Sequence, residues 1–384
     1  MRDPCPKWLV TLSRVQEAFK AFDEAFLKYK TFVLAYSGGK DSTVVSILLY
    51  EWMKERGARP HVVVLHNDTY SEVEGAESWA RYFVNQLAAK LSALGAEVRV
   101  EYATPYPTET WYWRVFVRGY PASTFNFRWC VDLLKIEPTT RKLKRYPNAV
   151  LVVGSRDEES AARSKSMSTR FGSCMASASC LGAYFAHDND IPKVAPIRFW
   201  TLEEVWRFLK SQKDFDVSPL FRLYWIPTAR YGCWHCTLVK IQWANQLDPR
   251  YKYAEAVRQI YKAVSDTPEL RTPKNTGYSR LGPLNALGRS IVFNALRIAV
   301  EKTGLDAFYG LKALVRGHTL WDIFYVMPPE RADAVIAKAD KTERRIPVKL
   351  LRELRSHEGW RDALGQLREK VSGEANSLLL ELMA

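Results

Sequence analysis

Between residues 8 and 29 apolar side chains recur every three or four positions, at Leu12, Val15, Ala18, Phe19, Phe22 and Phe26. That spacing predicts an amphipathic helix lying on a core. Four strand-length apolar runs follow, at residues 32–36, 61–65, 97–101 and 149–153, with helical spacing between them. Strands alternating with helices predict an α/β fold: a parallel twisted sheet with helices on both faces, and ligands at the carboxyl ends of the strands. Thr201 and Glu204 form a capping box ahead of Leu202, Val205, Trp206 and Leu209, so a helix starts there. Beyond about residue 246 the β-rich runs cease and helical spacing dominates, broken at Thr267-Pro268, Thr272-Pro273 and Pro328-Pro329. The expected organisation is an N-terminal helix (1–30), an α/β domain (31–245) and a mostly helical region (246–384). A Ser-, Ala- and Gly-rich stretch carrying Cys174 and Cys180, at about 164–190, reads as a loop-like insertion in the α/β domain.

With 384 residues, 47% hydrophobic and 26% charged, the chain can bury a sizeable core, and its apolar runs are too short to span a membrane. Met1 to Trp8 contain no apolar signal core, so a cytoplasmic location is expected. Six cysteines in such a compartment point to metal or redox chemistry rather than to a disulfide framework. The formal charge of +14 suits a polyanionic partner, and equally an Arg-rich solvated surface.

The sharpest local signal is Ser37-Gly38-Gly39-Lys40-Asp41-Ser42-Thr43, directly after a predicted strand and before a helix from Val44 to Arg56 that Gly57 can cap. Paired glycines let the backbone approach an anion, the helix start presents unpaired amides, Ser37, Ser42 and Thr43 add hydroxyl donors, and Lys40 adds charge. Asp41 is placed either to cap the helix or to bind Mg²⁺. The spacing is not that of a Walker A loop. It resembles the PP-loop of ATP pyrophosphatases and of the adenylylsulfate and phosphoadenylylsulfate reductase superfamily, whose ATP-type members cleave between the α and β phosphates.

A second constellation runs from Phe127-Arg128-Trp129-Cys130 through Lys135-Ile136-Glu137-Pro138 to Gly154-Ser155-Arg156 and on to Ser160 and Arg163. Its basic side chains can hold sulfate or phosphate oxygens, or can simply pair with Asp157, Glu158 and Glu159 on the surface. The order Cys, Lys-x-x-Pro, Gly-x-Arg-x-x-Glu-Ser-x-x-Arg is similar to the sulfonucleotide-reductase pattern. The third signal is Tyr231-Gly232-Cys233-Trp234-His235-Cys236-Thr237, whose Cys-x-x-Cys can place two thiolates on one metal or form a redox disulfide. Together with Gly119-Tyr120-Pro121, Arg128-Trp129-Cys130 and the segment from Trp200 to Trp206, it narrows the resemblance to the Dnd-type DNA phosphorothioation sulfurtransferases.

That resemblance implies an ATP-dependent, iron-sulfur-containing sulfurtransferase acting on nucleic acid. Its nucleotide site would comprise Ser37 to Thr43, Asp68, Gly154 and Arg156; Lys40, Asp41, Arg156 and Arg163 would serve catalysis, and Arg128, Lys135, Ser160 and Arg163 the substrate anion. The cofactors implied are ATP, Mg²⁺ and a [4Fe–4S] cluster on Cys130, Cys233 and Cys236, with Cys174 or Cys180 as fourth ligand or one iron left open. Zinc on Cys174, Cys180, Cys233 and Cys236 is the rival. A sulfur donor of the cysteine desulfurase type is the protein partner to expect. No cysteine follows Cys236 here, whereas thioredoxin-coupled reductases use one in a C-terminal tail, and this departs from sulfonucleotide reduction. Sulfonucleotide reduction, tRNA thiolation and a nucleotide-binding subunit of a larger complex are the other readings. Between residues 270 and 300 lie Arg271, Lys274, Arg280, Arg289 and Arg297 without an acidic residue. Arg271, Lys274 and Arg280 are the expected nucleic-acid contacts; the alternative is that this stretch braces the helical region.

Overall fold

A computed structural model of the chain describes residues 7–159, 165, 169, 184–188, 191–226, 228, 231–273, 281–340, 349–356 and 359–383. These divide into two compact units. The first comprises residues 1–67, 75–103 and 139–227, and the second residues 68–74, 104–138 and 228–384. Whereas the sequence suggests a cut near residue 246, segments 68–74 and 104–138 group with the C-terminal region.

The first unit opens with helix α1 (Lys7–Lys28), then β1 (Thr31–Tyr36), α2 (Lys40–Arg56), β2 (His61–Asn67), α3 (Glu74–Ala93) and β3 (Val98–Ala103). Helix α4 (Glu137–Leu143), β4 (Ala149–Val152), β5 (Phe185–Asp188), β6 (Ile191–Val194) and α5 (Leu202–Ser211) complete it. The strands form one six-stranded sheet in the order β3-β2-β1-β4-β6-β5. All pairings are parallel except that of β5 with β6. Alternate residues of each strand face opposite sides. Phe32, Leu34 and Tyr36 of β1 join the larger core with α1, α2, α3 and α5, while Val33 joins Val63, Leu151 and Leu143 on the other face. Burial on both faces explains why the central strands read as near-continuous apolar runs.

The expected α/β class is therefore what the chain adopts. Two short strands were not anticipated. β5 lies inside the stretch expected to be a loop, residues 164–190, and β6 directly follows it; the other residues 160–183, apart from 165 and 169, lie outside the described set. At four residues each, β5 ending in His187 and Asp188 and β6 interrupted by Pro192, such short strands carry almost no periodic signal.

In the second unit α6 (Lys252–Ser265) packs on α7 (Ala286–Thr303) and on the terminal helix α8 (Glu374–Met383). This region is mostly helical, as expected, with two small additions: the antiparallel pairs Arg271–Pro273 with Leu281–Leu284, and Leu314–Val315 with His318–Thr319. Among the described residues no helix is long and apolar enough to cross a membrane.

Candidate nucleotide site and cysteine centre

β1 has β2 on one side and β4 on the other, so the sheet changes winding direction at β1 and opens a crevice at the carboxyl ends of β1 and β4. Ser37 follows β1 directly, and Gly154 lies just past β4. The loop between β1 and α2 is fixed from several directions. Gly38 adopts φ +76°, a conformation that favours glycine, and a Cβ there would lie 3.1 Å from the Ala80 Cβ. Its carbonyl accepts the Trp79 indole N–H at 2.9 Å. The Ser42 hydroxyl donates to the Gly39 carbonyl at 3.0 Å and lies 3.1 Å from Ser37 Oγ, and the Thr43 hydroxyl donates to the same carbonyl at 2.9 Å.

Gly39 is the N-cap of α2, and no side chain caps it. The first-turn amides of Lys40, Asp41 and Ser42 thus lie at the positive end of a 17-residue helix without intrahelical acceptors, the arrangement that binds phosphate. Asp41 is not the cap. One of its carboxylate oxygens accepts from Lys40 Nζ at 3.0 Å and the other from Arg156 Nε at 2.7 Å. Arg156, expected to orient an adenylate or acceptor phosphate, is 2% exposed and also donates to Glu158 Oε2 and to the Trp200 carbonyl. In this arrangement it fixes Asp41 beside the loop. Gly154 is equally constrained, because a Cβ there would meet the Asp41 and Ser42 backbone at 2.8 to 2.9 Å.

Sequence reasoning passed over His66 at the end of β2. Its buried ring lies between the Tyr36 carbonyl, 3.0 Å from Nδ1, and Glu77, 3.1 Å from Nε2. No motif marks this arrangement; the sheet register sets His66 beside Tyr36, and Glu77 comes from α3.

The second unit holds the three described cysteines, Cys130, Cys233 and Cys236. Cys233 and Cys236 sit on a tight turn in which the Cys236 amide donates to the Cys233 carbonyl at 3.0 Å. Buried polar side chains hold that turn by its carbonyls: Gln242 donates to the carbonyl of Cys233, Asn245 to that of Trp234, and Arg258 to those of Cys236, Val239 and Lys240. Arg258 is oriented by a bidentate pair with Glu255, at 2.6 and 2.8 Å. The His235 ring stacks on Trp111 at 5.2 Å, and burial lowers its pKa to about 3, so the imidazole is neutral. Cys130 accepts a hydrogen bond from Ser123 Oγ at 3.1 Å, and the Ser123 carbonyl accepts from the Thr237 hydroxyl, which ties the Cys130 segment to the Cys-x-x-Cys turn.

Cys236 and Lys135 act electrostatically on both Cys130 and Cys233. Burial, and then Glu72, push the Cys233 thiol up to about 12, while Lys135 acts against the rise. Cys130 is raised by burial and by Cys236. Lys135 in turn has its pKa raised, first by Cys233. Lys135 and Arg128 are exposed, and Lys135 lies on a π-helical turn, Asp132–Ile136. Neighbouring carboxylates were also missed in the sequence. The Glu72 carboxylate accepts from the Thr69 hydroxyl at 2.7 Å, and Thr69 Oγ1 lies 3.4 Å from Cys233 Sγ. Asp68, an expected nucleotide ligand, is 2% exposed in this second unit and accepts from the Tyr70 amide at 2.9 Å and the Tyr309 hydroxyl at 2.7 Å.

Of the expected nucleic-acid contacts, Arg271 spends its guanidinium on the carbonyls of Ser265, Leu281 and Gly282, which is the bracing arrangement. Arg289 likewise donates to the Phe116 and Val117 carbonyls, and Arg297 pairs with Glu301. Ser160, Arg163, Cys174, Cys180, Lys274 and Arg280 lie outside the described residues.

The phosphoadenosine phosphosulfate reductase domain matches residues 31–239, more than half of the chain. The chain belongs to this family. The match takes in the loop at Ser37 to Thr43, Gly154 and Arg156, Cys130 and both cysteines of the Cys-x-x-Cys turn. An uncharacterized protein of Methanocaldococcus jannaschii is 26% identical over 202 residues, which are 53% of this chain and 40% of that protein. The chain thus spans less than half the length of that relative. Among solved structures, a phosphoadenylyl-sulfate (PAPS) reductase from Candida auris in complex with phosphate superposes with a TM-score of 0.32 at 13% identity, covering 50% of this chain and 78% of that one. Membership of the phosphoadenosine phosphosulfate reductase family points to an enzyme of nucleotide and sulfur chemistry.

Proposed function

We propose that this member of the phosphoadenosine phosphosulfate reductase family cleaves ATP between the α and β phosphates and uses the adenylate to replace an oxygen of nucleic acid by sulfur. The observation that carries the reading is the β1–α2 loop, where an uncapped helix start, the Gly38 turn and Lys40 form an anion site at the winding switch of the sheet. An acceptor oxygen attacks the α phosphorus, and the bond to the β-phosphate oxygen breaks. Pyrophosphate leaves, with its developing charge met by Lys40 and the first-turn amides. A sulfur nucleophile then displaces AMP, which carries away the acceptor oxygen: hydrosulfide enters directly, whereas a persulfide enters by its terminal sulfur and a thiol reductant then breaks the resulting disulfide to release the sulfur-bearing nucleic acid. Asp41 positions Lys40. One of its oxygens holds Lys40 and the other Arg156, and Mg²⁺ would be carried chiefly by the nucleotide's own phosphates.

The donor set of the second unit fits a cluster. Cys130 and Cys233, both raised by burial and by the neighbouring Cys236 and both opposed by Lys135, suit together with Cys236 a group that binds thiolates and carries net negative charge. Cys130, Cys233 and Cys236 would hold a [4Fe–4S] cluster, which supplies thiolate-ligated iron able to bind sulfur or pass electrons. Lys135 would balance its charge, and Gln242, Asn245 and Arg258 keep the turn in place. The partners this reading calls for are nucleic acid and a sulfur donor of the cysteine desulfurase class.

The test is product analysis with ATP and Mg²⁺. Pyrophosphate and AMP are expected, and Lys40→Ala should slow pyrophosphate release by about 100- to 1,000-fold, the usual cost of losing one stabiliser of transition-state charge. Release of ADP and orthophosphate would contradict the reading. Binding of a sulfonucleotide with no binding of ATP would favour a sulfonucleotide reductase, the reading to which the family's own description leads.

A further inference from the structure

We infer that the hairpin tip Thr124–Phe127 is a stacking platform for an unpaired nucleobase of the acceptor strand. The inference rests on the nucleic-acid half of the proposed function and adds where the strand is held. Thr124 and Phe127 exchange both backbone hydrogen bonds, at 3.2 and 3.1 Å, and close a tight turn. Two phenyl rings stand out from it, Phe125 at 80% exposure and Phe127 at 45%. The Phe127 ring lies parallel to that of Tyr120, with centroids 6.2 Å apart and planes 11° apart, and the Arg114 guanidinium sits 5.6 Å from the Tyr120 centroid. Arg128, exposed, follows immediately.

This tip is held rigidly. The Trp129 indole donates to the Pro121 carbonyl at 3.0 Å, and Gly119, at φ +68°, has no room for a Cβ because the Leu284 carbonyl would be 2.7 Å away. The Ser123 links to Cys130 and Thr237 bind the same hairpin to the cysteine centre. From Arg114 to Val131 the chain contains three arginines and no acidic residue. One of them, Arg118, is committed to Asp340, which leaves Arg128 and the ring-stacked Arg114 to give the platform its positive charge. Aromatic faces beside guanidinium groups on a rigid support match what holds single-stranded nucleic acid: rings stack on bases of any sequence while arginine meets the backbone. A base paired inside a duplex presents no free face, so the occupant is a single strand or an extruded base. The occupant's negative charge complements this acid-free segment, whereas an apolar protein surface would gain nothing from the arginines.

The test uses the full chain and a fluorescently labelled single-stranded oligonucleotide, with binding read by anisotropy at several salt concentrations. Phe125→Ala combined with Phe127→Ala should weaken binding about 5- to 100-fold with an unchanged salt slope, since stacking releases no counterions. Arg128→Ala should instead make the logarithmic salt slope shallower by about 0.7. Thermal unfolding should stay within a few degrees of the parent for each, because Phe125 and Arg128 are exposed and Phe127 is nearly half exposed. If the parent chain binds no single strand at all, the nucleic-acid reading itself falls. If the parent binds and the double variant binds equally well, the platform assignment alone falls. Unchanged oligonucleotide binding with lost association to a cysteine desulfurase would overturn it in favour of a protein partner.

Discussion

Gly154→Ala is expected to abolish nucleotide binding while leaving most of the protein folded. A Cβ at this position would stand 2.8 Å from the Asp41 carbonyl carbon and 2.9 Å from both its oxygen and the Ser42 amide nitrogen. All three are backbone atoms, so no rotamer change relieves the overlap, and either β4 or the first turn of α2 must move. Overpacking of this kind costs about 1–3 kcal/mol of stability. The larger effect is on function. Displacing the amides that meet the phosphates by even about 1 Å should lower turnover by about 100-fold or more. Gly365→Ala is the control, since a Cβ there meets nothing within 4 Å and a helical Gly to Ala change should be neutral or stabilise by up to about 1 kcal/mol. Calorimetric titration with ATP and thermal unfolding of both variants check the pair. Full ATP affinity in Gly154→Ala would show that the loop does not carry the phosphates.

The second large effect concerns the cysteines. Chain purified without oxygen should be brown and contain iron and inorganic sulfide, and Cys233→Ser, Cys236→Ser or Cys130→Ser should each lose most of that absorbance. The turn itself should survive the two Cys-x-x-Cys changes, because Gln242, Asn245 and Arg258 hold its carbonyls rather than its sulfurs. An unchanged far-ultraviolet circular dichroism spectrum would verify this. Colourless protein with stoichiometric zinc would overturn the cluster assignment. Retention of the cluster in Cys130→Ser alone would free that thiol to carry a persulfide and make Cys174 and Cys180 the remaining ligands.

What the sequence disclosed was local. The phosphate loop needs only a strand, two glycines and a helix start, all within a dozen residues, and its apolar neighbours set both elements. The Cys-x-x-Cys turn and the capping box at Thr201 and Glu204 are local for the same reason, and the structure shows both hydrogen bonds of that box. What escaped was assembled by topology. Arg156 reaches Asp41 across 115 residues because β1 and β4 are neighbours in the sheet, and nothing in either segment announces the pairing. Charge counting left Arg271 either a polyanion ligand or a brace; its carbonyl partners appear only once residues 265, 281 and 282 come together. Arg258 has an acidic partner three residues away, but its grip on the cysteine turn is long-range. The nearness of Cys130 to the later cysteines was available through resemblance to a family, not through spacing.

The most direct test of the proposed function is to follow sulfur itself. The reconstituted chain would be incubated with ATP, Mg²⁺, a nucleic acid, a thiol reductant and a cysteine desulfurase with its cysteine substrate, and the nucleic acid then digested and analysed by mass spectrometry. Nucleotides in which one oxygen has been exchanged for sulfur are expected, formed only with ATP and absent with Lys40→Ala. Release of sulfite from a sulfonucleotide, with no sulfur entering the nucleic acid, would contradict it.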